Sequence, residues 1–133
     1  MKNMKKYTQL VSNKIKTPDG TIIQSFHVHD YVVHTDKNGK KYMVDGGLEY
    51  LRRTVHSDAP YTELSLYIED HFEDIRRDFH WGTRGKDGKQ TLTWKALMHL
   101  DTDHIKNILE TQTHIKQSVC DLFEQELQFR GIK

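Results

Sequence analysis

The sequence has almost no cysteine, no long apolar run and no surplus of charge of either sign. Cys120 is the single cysteine in 133 residues, so an intrachain disulfide is impossible and a reducing compartment is expected. No apolar stretch approaches the ~20 residues of a membrane helix. The basic start MKNMKK is not followed by the apolar core of a signal peptide, so neither a membrane span nor secretion is expected. Lys plus Arg number 20 against 19 Asp plus Glu, a net charge of +1. That balance argues against a DNA-coating protein and against an acidic mimic of nucleic acid, while leaving local patches open.

Catalytic signatures are missing too. Ser12, Ser25, Ser57, Ser65 and Ser118 stand in no nucleophile-elbow context. The basic loop GTRGKDGKQ fails as a phosphate-binding P-loop. Gln90 follows Gly88-Lys89 where Ser or Thr is needed, and Thr83 stands where the first glycine belongs. Arg84, Lys86 and Lys89 could still grip a phosphate, but a solvated turn accounts for them more simply. Cys120 lies beside Val119 and Leu122 on an apolar stripe and reads as a structural thiol. His104, beside a helix start, reads as a residue that bonds the cap. No complete catalytic constellation emerges, and no catalytic residue is assigned.

What is present begins with extended sequence. The length suits one domain spanning 1–133 with its own core. Tyr7, Leu10, Val11 and Ile15 give a weak strand signal, and Thr17-Pro18-Asp19-Gly20 reads as a tight turn. A β-branched and aromatic run then leads to Asn38-Gly39, a strong hairpin signal. A two-residue turn there would set Val33 opposite Val44, His29 opposite Leu48 and His27 opposite Tyr50. Gly46-Gly47 could hold a bulge in the return strand. His56 to Pro60 reads as a loop, and Leu64, Leu66 and Ile68 alternate as a half-buried strand.

Helical periodicity takes over afterwards. Asp70 with Glu73 forms a capping pattern before the stripe Phe72, Ile75 and Phe79, and Gly82 reads as the stop. Leu92 to Leu97 reads as a short strand. Asp101 precedes a helix bearing Ile105, Ile108 and Leu109, and a last helix bears Val119, Leu122, Phe123 and Leu127. Strands first and helices last predict an α+β fold: an N-terminal antiparallel meander with the hairpin at Asn38-Gly39, and C-terminal helices on one face.

The compositional excess is histidine, nine in all. On a strand, His27, His29 and Tyr31 would share one face. The two-residue turn would add Tyr42, Val44, Leu48, Tyr50 and Arg52 to it, leaving Ile22, Phe26, Val28, Val32, Met43, Leu51 and Val55 for the core. Imidazole, phenol and guanidinium together suit an anionic or aromatic ligand. The candidate binding residues are therefore His27, His29, Tyr31, Tyr50 and Arg52, with Arg53 and Arg84 as further cations. His-x-His on a strand is also a chelating spacing, so Zn or Mn at His27 and His29 is the alternative to a protein without a cofactor.

The runs DGTIIQSFHVHDYVVHTDKNGKKYMVDGGLEYLRR and FHWGTRGKDGKQTLTWKALMHLDTDHIKNILETQ resemble small accessory proteins of tailed bacteriophages. The phrase from Leu97 to Ile105 carries the likeness most strongly, within a span from Asp19 to Phe129. The resemblance implies a viral protein in the host bacterial cytoplasm that counters host defence. It would do so without catalysis, by binding a host defence protein or by sequestering a nucleotide signal, and it carries over no catalytic residue. The alternatives are a metal-dependent hydrolase or nuclease using His27 and His29, and a structural or assembly component. A homo-oligomer is expected for either binding reading, because symmetry can build a pocket from two shallow surfaces.

Overall fold

The computed structural model describes residues 9–54, 60–85 and 88–132. Tyr7 with the basic start, Val55 with the loop to residue 59, and Lys86 lie outside the described residues. The fold is α+β, with antiparallel sheets first and helices last. The chain divides into two compact units, Met1–His71 and Phe72–Lys133.

In the first unit, β1 (Leu10–Lys16) pairs antiparallel with β2 (Ile22–Ser25) on one side. On its other side it pairs with two short strands, β6 (Thr62–Glu63) and β7 (Leu66–Tyr67). The turn between β1 and β2 is closed by Asp19, whose carboxylate accepts the Thr17 hydroxyl, the Thr21 N–H and a 2.9 Å bond from His34 Nε2. These bonds, from Thr17 first and His34 second, hold its carboxyl well below the usual aspartate value.

A second sheet runs β3 (Val32–Thr35), β4 (Lys41–Asp45), β5 (Arg52–Arg53). The β3–β4 hairpin lies where Asn38-Gly39 places it, but its loop has three residues rather than two. Asp36 and Lys40 pair through backbone, and Asp36 Oδ1 accepts the N–H of Asn38 and of Lys40, each at 2.9 Å. Gly39 takes the left-handed conformation (φ +83°) that such a loop requires. The extra residue shifts the register by one, setting Val32 opposite Val44 and Val33 opposite Met43. Because side chains alternate with period two, the shift exchanges the faces of β4. Tyr42 and Val44, expected on the outer face, are buried with Ile15 and Ile23, and Val32 and Tyr61 pack against them. Met43, expected in the core, is only half-buried.

The second unit opens with α1 (Phe72–Asp78). Asp70 serves the turn before this helix, accepting the Tyr67 N–H at 2.7 Å. The chain then forms a hairpin of β8 (His80–Thr83), which the sequence reading did not expect, against β9 (Thr93–Ala96), which lies within the strand expected over Leu92 to Leu97. Gly82 belongs to this strand instead of ending a helix, and its Cα faces the Trp94 ring. A 3-10 turn at Leu97–His99 leads to α2 (Thr102–Thr111), and α3 (Gln117–Phe129) follows. Their apolar stripes bury Ile105 and Ile108 on one helix, and Val119, Leu122 and Phe123 on the other. Phe123 meets the edges of Phe79 and Trp81, at 6.1 and 5.1 Å between ring centres.

Glu126 is also on the inward side of α3 and is 0 % exposed. It accepts two bonds of 2.8 Å from Arg76 and one of 2.7 Å from Arg130. Arg130 extends this anchor to the start of α2, donating to Thr102 Oγ1 and to the carbonyls of Leu97 and Met98. Arg76 also lies 4.2 Å above the Phe129 ring.

Candidate recognition surface

The histidines of the sequence argument sit in a turn, not on a strand. β2 ends at Ser25 and β3 starts at Val32. Between them the Asp30 N–H bonds the His27 carbonyl at 2.9 Å, and His29 adopts φ +69°. The Asp30 carboxylate closes the turn by accepting the Phe26 N–H at 2.7 Å, the role to which a short Asp side chain is suited. The strand alternation that would aim both imidazoles in one direction is therefore absent. His27 Nδ1 instead lies 2.9 Å from the Val28 carbonyl.

The return segment is likewise a turn. Gly46 and Gly47 take φ +104° and +52°, and the Gly46 carbonyl accepts the N–H of Glu49 and of Tyr50. The pairings His29–Leu48 and His27–Tyr50 are replaced by contact between two turns. Gly47 lies so close to His27 that a Cβ would stand 2.2 Å from the His27 carbonyl carbon. Only glycine fits there, by both space and conformation.

Two buried polar side chains hold these turns together. Ser25 Oγ donates to the Asp30 carbonyl at 2.7 Å and accepts the Gly47 N–H at 2.9 Å. Asn13, on β1, donates from Nδ2 to the carbonyls of Gly47 (2.8 Å) and Asp45 (3.0 Å), with a longer contact to Tyr50. Both residues are buried, so these bonds form where water competes little. Neither stood out in the sequence as part of a site. Their one signal was polarity on the inward side of a strand, Asn13 between the buried Val11 and Ile15 and Ser25 two residues after the buried Ile23.

On this base His27, His29, Tyr31, Tyr50 and Arg52 are all exposed, Tyr31 by 59 %. Val28 and Leu51, expected in the core, are exposed as well, and so is Ile22 at the start of β2. Arg52 Nη1 lies 3.6 Å from the buried Asp45 carboxylate, while its own side chain is 62 % exposed. That long contact leaves most of its guanidinium fork facing outward. Arg53 has a different role. It grips Glu63 through two bonds, of 3.1 and 2.6 Å, and Ser65 at 3.0 Å, fastening β5 to the chain around β6.

Arg84 belongs to the second unit, in the loop after β8, and is exposed. Among the described residues of this loop, three backbone N–H groups are used internally: Gly85 to Thr83 Oγ1, Gly88 to the Gly85 carbonyl, and Gln90 to the Arg84 carbonyl. They do not converge on a phosphate position. Among the described residues no cluster of three or more His, Cys, Asp or Glu could hold a metal ion, and no helix is long and apolar enough to cross a membrane.

Comparison with known proteins returns no matching family model, no matching curated protein and no matching solved structure.

Proposed function

We propose that this chain is a non-catalytic binding protein whose recognition surface consists of His27, His29, Tyr31, Tyr50 and Arg52 with the apolar Val28 and Leu51. The observation that supports this reading is the combination of exposed aromatic, apolar and cationic side chains on two turns stapled by buried Ser25 and Asn13. Such a surface loses little conformational freedom on docking, and tyrosine and arginine supply much of the energy in protein interfaces. Extending the phage resemblance, we place the activity in the host bacterial cytoplasm, where the protein counters a defence by occupying a host protein.

Native mass spectrometry of the protein from infected cells tests this reading directly. A complex with a host protein, lost in the Tyr50→Ala/Arg52→Ala double variant, supports it. A retained nucleotide would indicate sequestration of a signal, and stoichiometric Zn²⁺ or Mn²⁺ would indicate the metal-dependent alternative at His27 and His29. An assembly containing only this chain, disrupted by the double variant, would make the surface an interface between copies.

A further inference from the structure

The second unit holds a cleft of about 410 Å³ lined, among the described residues, by Gly85, Asp103, His104 and Asn107. Its volume falls within the ~300–1,000 Å³ of small-molecule sites. Asp103 and Asn107 lie four residues apart on α2 and so share one helix face, away from the buried Ile105 and Ile108. Asp103 lies in the first turn of α2, where a carboxylate complements the helix dipole. The N-cap residue Asp101 makes no side-chain cap bond. Among the described residues the side chains of Asp103, His104 and Asn107 have no hydrogen-bond or ion-pair partner. Three polar residues thus border the cleft, Asp103 and Asn107 exposed and His104 half-buried, on a helix whose start is pinned by Arg130 through Thr102, Leu97 and Met98.

We infer that this cleft binds a neutral, hydroxyl-bearing small molecule, either a sugar or the sugar portion of a nucleoside. The donor set selects that chemistry. A carboxylate only accepts, a carboxamide both donates and accepts, and an imidazole offers either role. Adjacent hydroxyls satisfy all three, whereas an anionic group placed against Asp103 is repelled. A nucleoside gains further, because a carboxamide can pair with the N6 and N7 edge of adenine. This site is independent of the recognition surface proposed above.

An NMR titration of the intact chain with D-ribose and with adenosine tests the assignment. Saturable shifts of the Gly85, Asp103, His104 and Asn107 amides with both probes indicate sugar recognition, and shifts with adenosine alone indicate a nucleoside site. Asp103→Ala, a change at an exposed position, should weaken binding about tenfold or more through loss of a charge-assisted bond. Asn107→Ala should weaken adenosine more than ribose if the base is read. Unshifted cleft amides with both probes, or equal affinity in Asp103→Ala, overturn the inference.

Discussion

The Cα of Gly47 faces the backbone of His27 with no space for a methyl group between them. That closeness joins the two turns that carry the recognition surface. Replacing Gly47 by Ala adds a left-handed backbone penalty of about 1–2 kcal/mol to a direct clash with backbone. We expect a loss of at least ~2 kcal/mol in denaturant unfolding, accompanied by shifts in the NMR signals of residues 27–30. Full stability in Gly47→Ala would show that the turns are not in contact.

Asn13 bonds carbonyls of the second turn from below. Asn13→Ala leaves buried carbonyls of Asp45 and Gly47 without their donor, a cost of ~1–3 kcal/mol. Asn13→Asp should cost more, since it substitutes an acceptor for the donor and buries a charge. Chemical denaturation of the two variants reads the order, and an Asp variant as stable as wild type would contradict the bonding described.

Arg52 should separate binding from stability. Its 3.6 Å contact with Asp45 is partly solvated and contributes at most ~1 kcal/mol. Arg52→Ala is therefore expected to unfold within that margin of wild type while losing affinity for the partner. Arg53→Ala should do the reverse, destabilising the fold through loss of the Glu63 and Ser65 bonds and leaving partner affinity intact. Calorimetry of each variant with the captured host protein distinguishes the two arginines.

Glu126 makes the second unit sensitive to acid. Burial alone would raise its pKa, but the hydrogen bonds from Arg76 and Arg130 outweigh burial and hold it below the ordinary glutamate value. Its contribution is complete above that ordinary value and is lost as pH falls through the lower folded-state value. The unfolding midpoint should decline over this acidic window in wild type and decline less in Glu126→Gln. At neutral pH we expect Glu126→Gln to lose about 2 kcal/mol, less than a fully enclosed pair, because the arginines are 17 % and 18 % exposed.

The fold class was legible because periodicity changes from two to near four along the chain. The apolar stripes of α2 and α3 place both helices, and Asn38-Gly39 locates the hairpin. The register was not legible. It depends on the Asp36 carboxylate, whose two backbone bonds select a three-residue loop over the two-residue one. At the site, residue types were legible and their geometry was not. Asp30 folds its carboxylate back on Phe26, turning an apparently continuous strand into a turn and bringing Val28 into the open. β9 was legible as the short strand over Leu92 to Leu97, but β8 escaped because Phe79 continues the helical stripe of Phe72 and Ile75 beyond the last turn of α1.

The loop Lys37–Gly39 gives the hairpin a parity. Deleting or inserting a single residue there would turn β4 inside out, presenting Tyr42 and Val44 to water and Met43 to the core. A change of two residues would restore the faces. Length variation at this hairpin should therefore be tolerated in even steps and rejected in odd ones, a rule that a loop-length library can read directly.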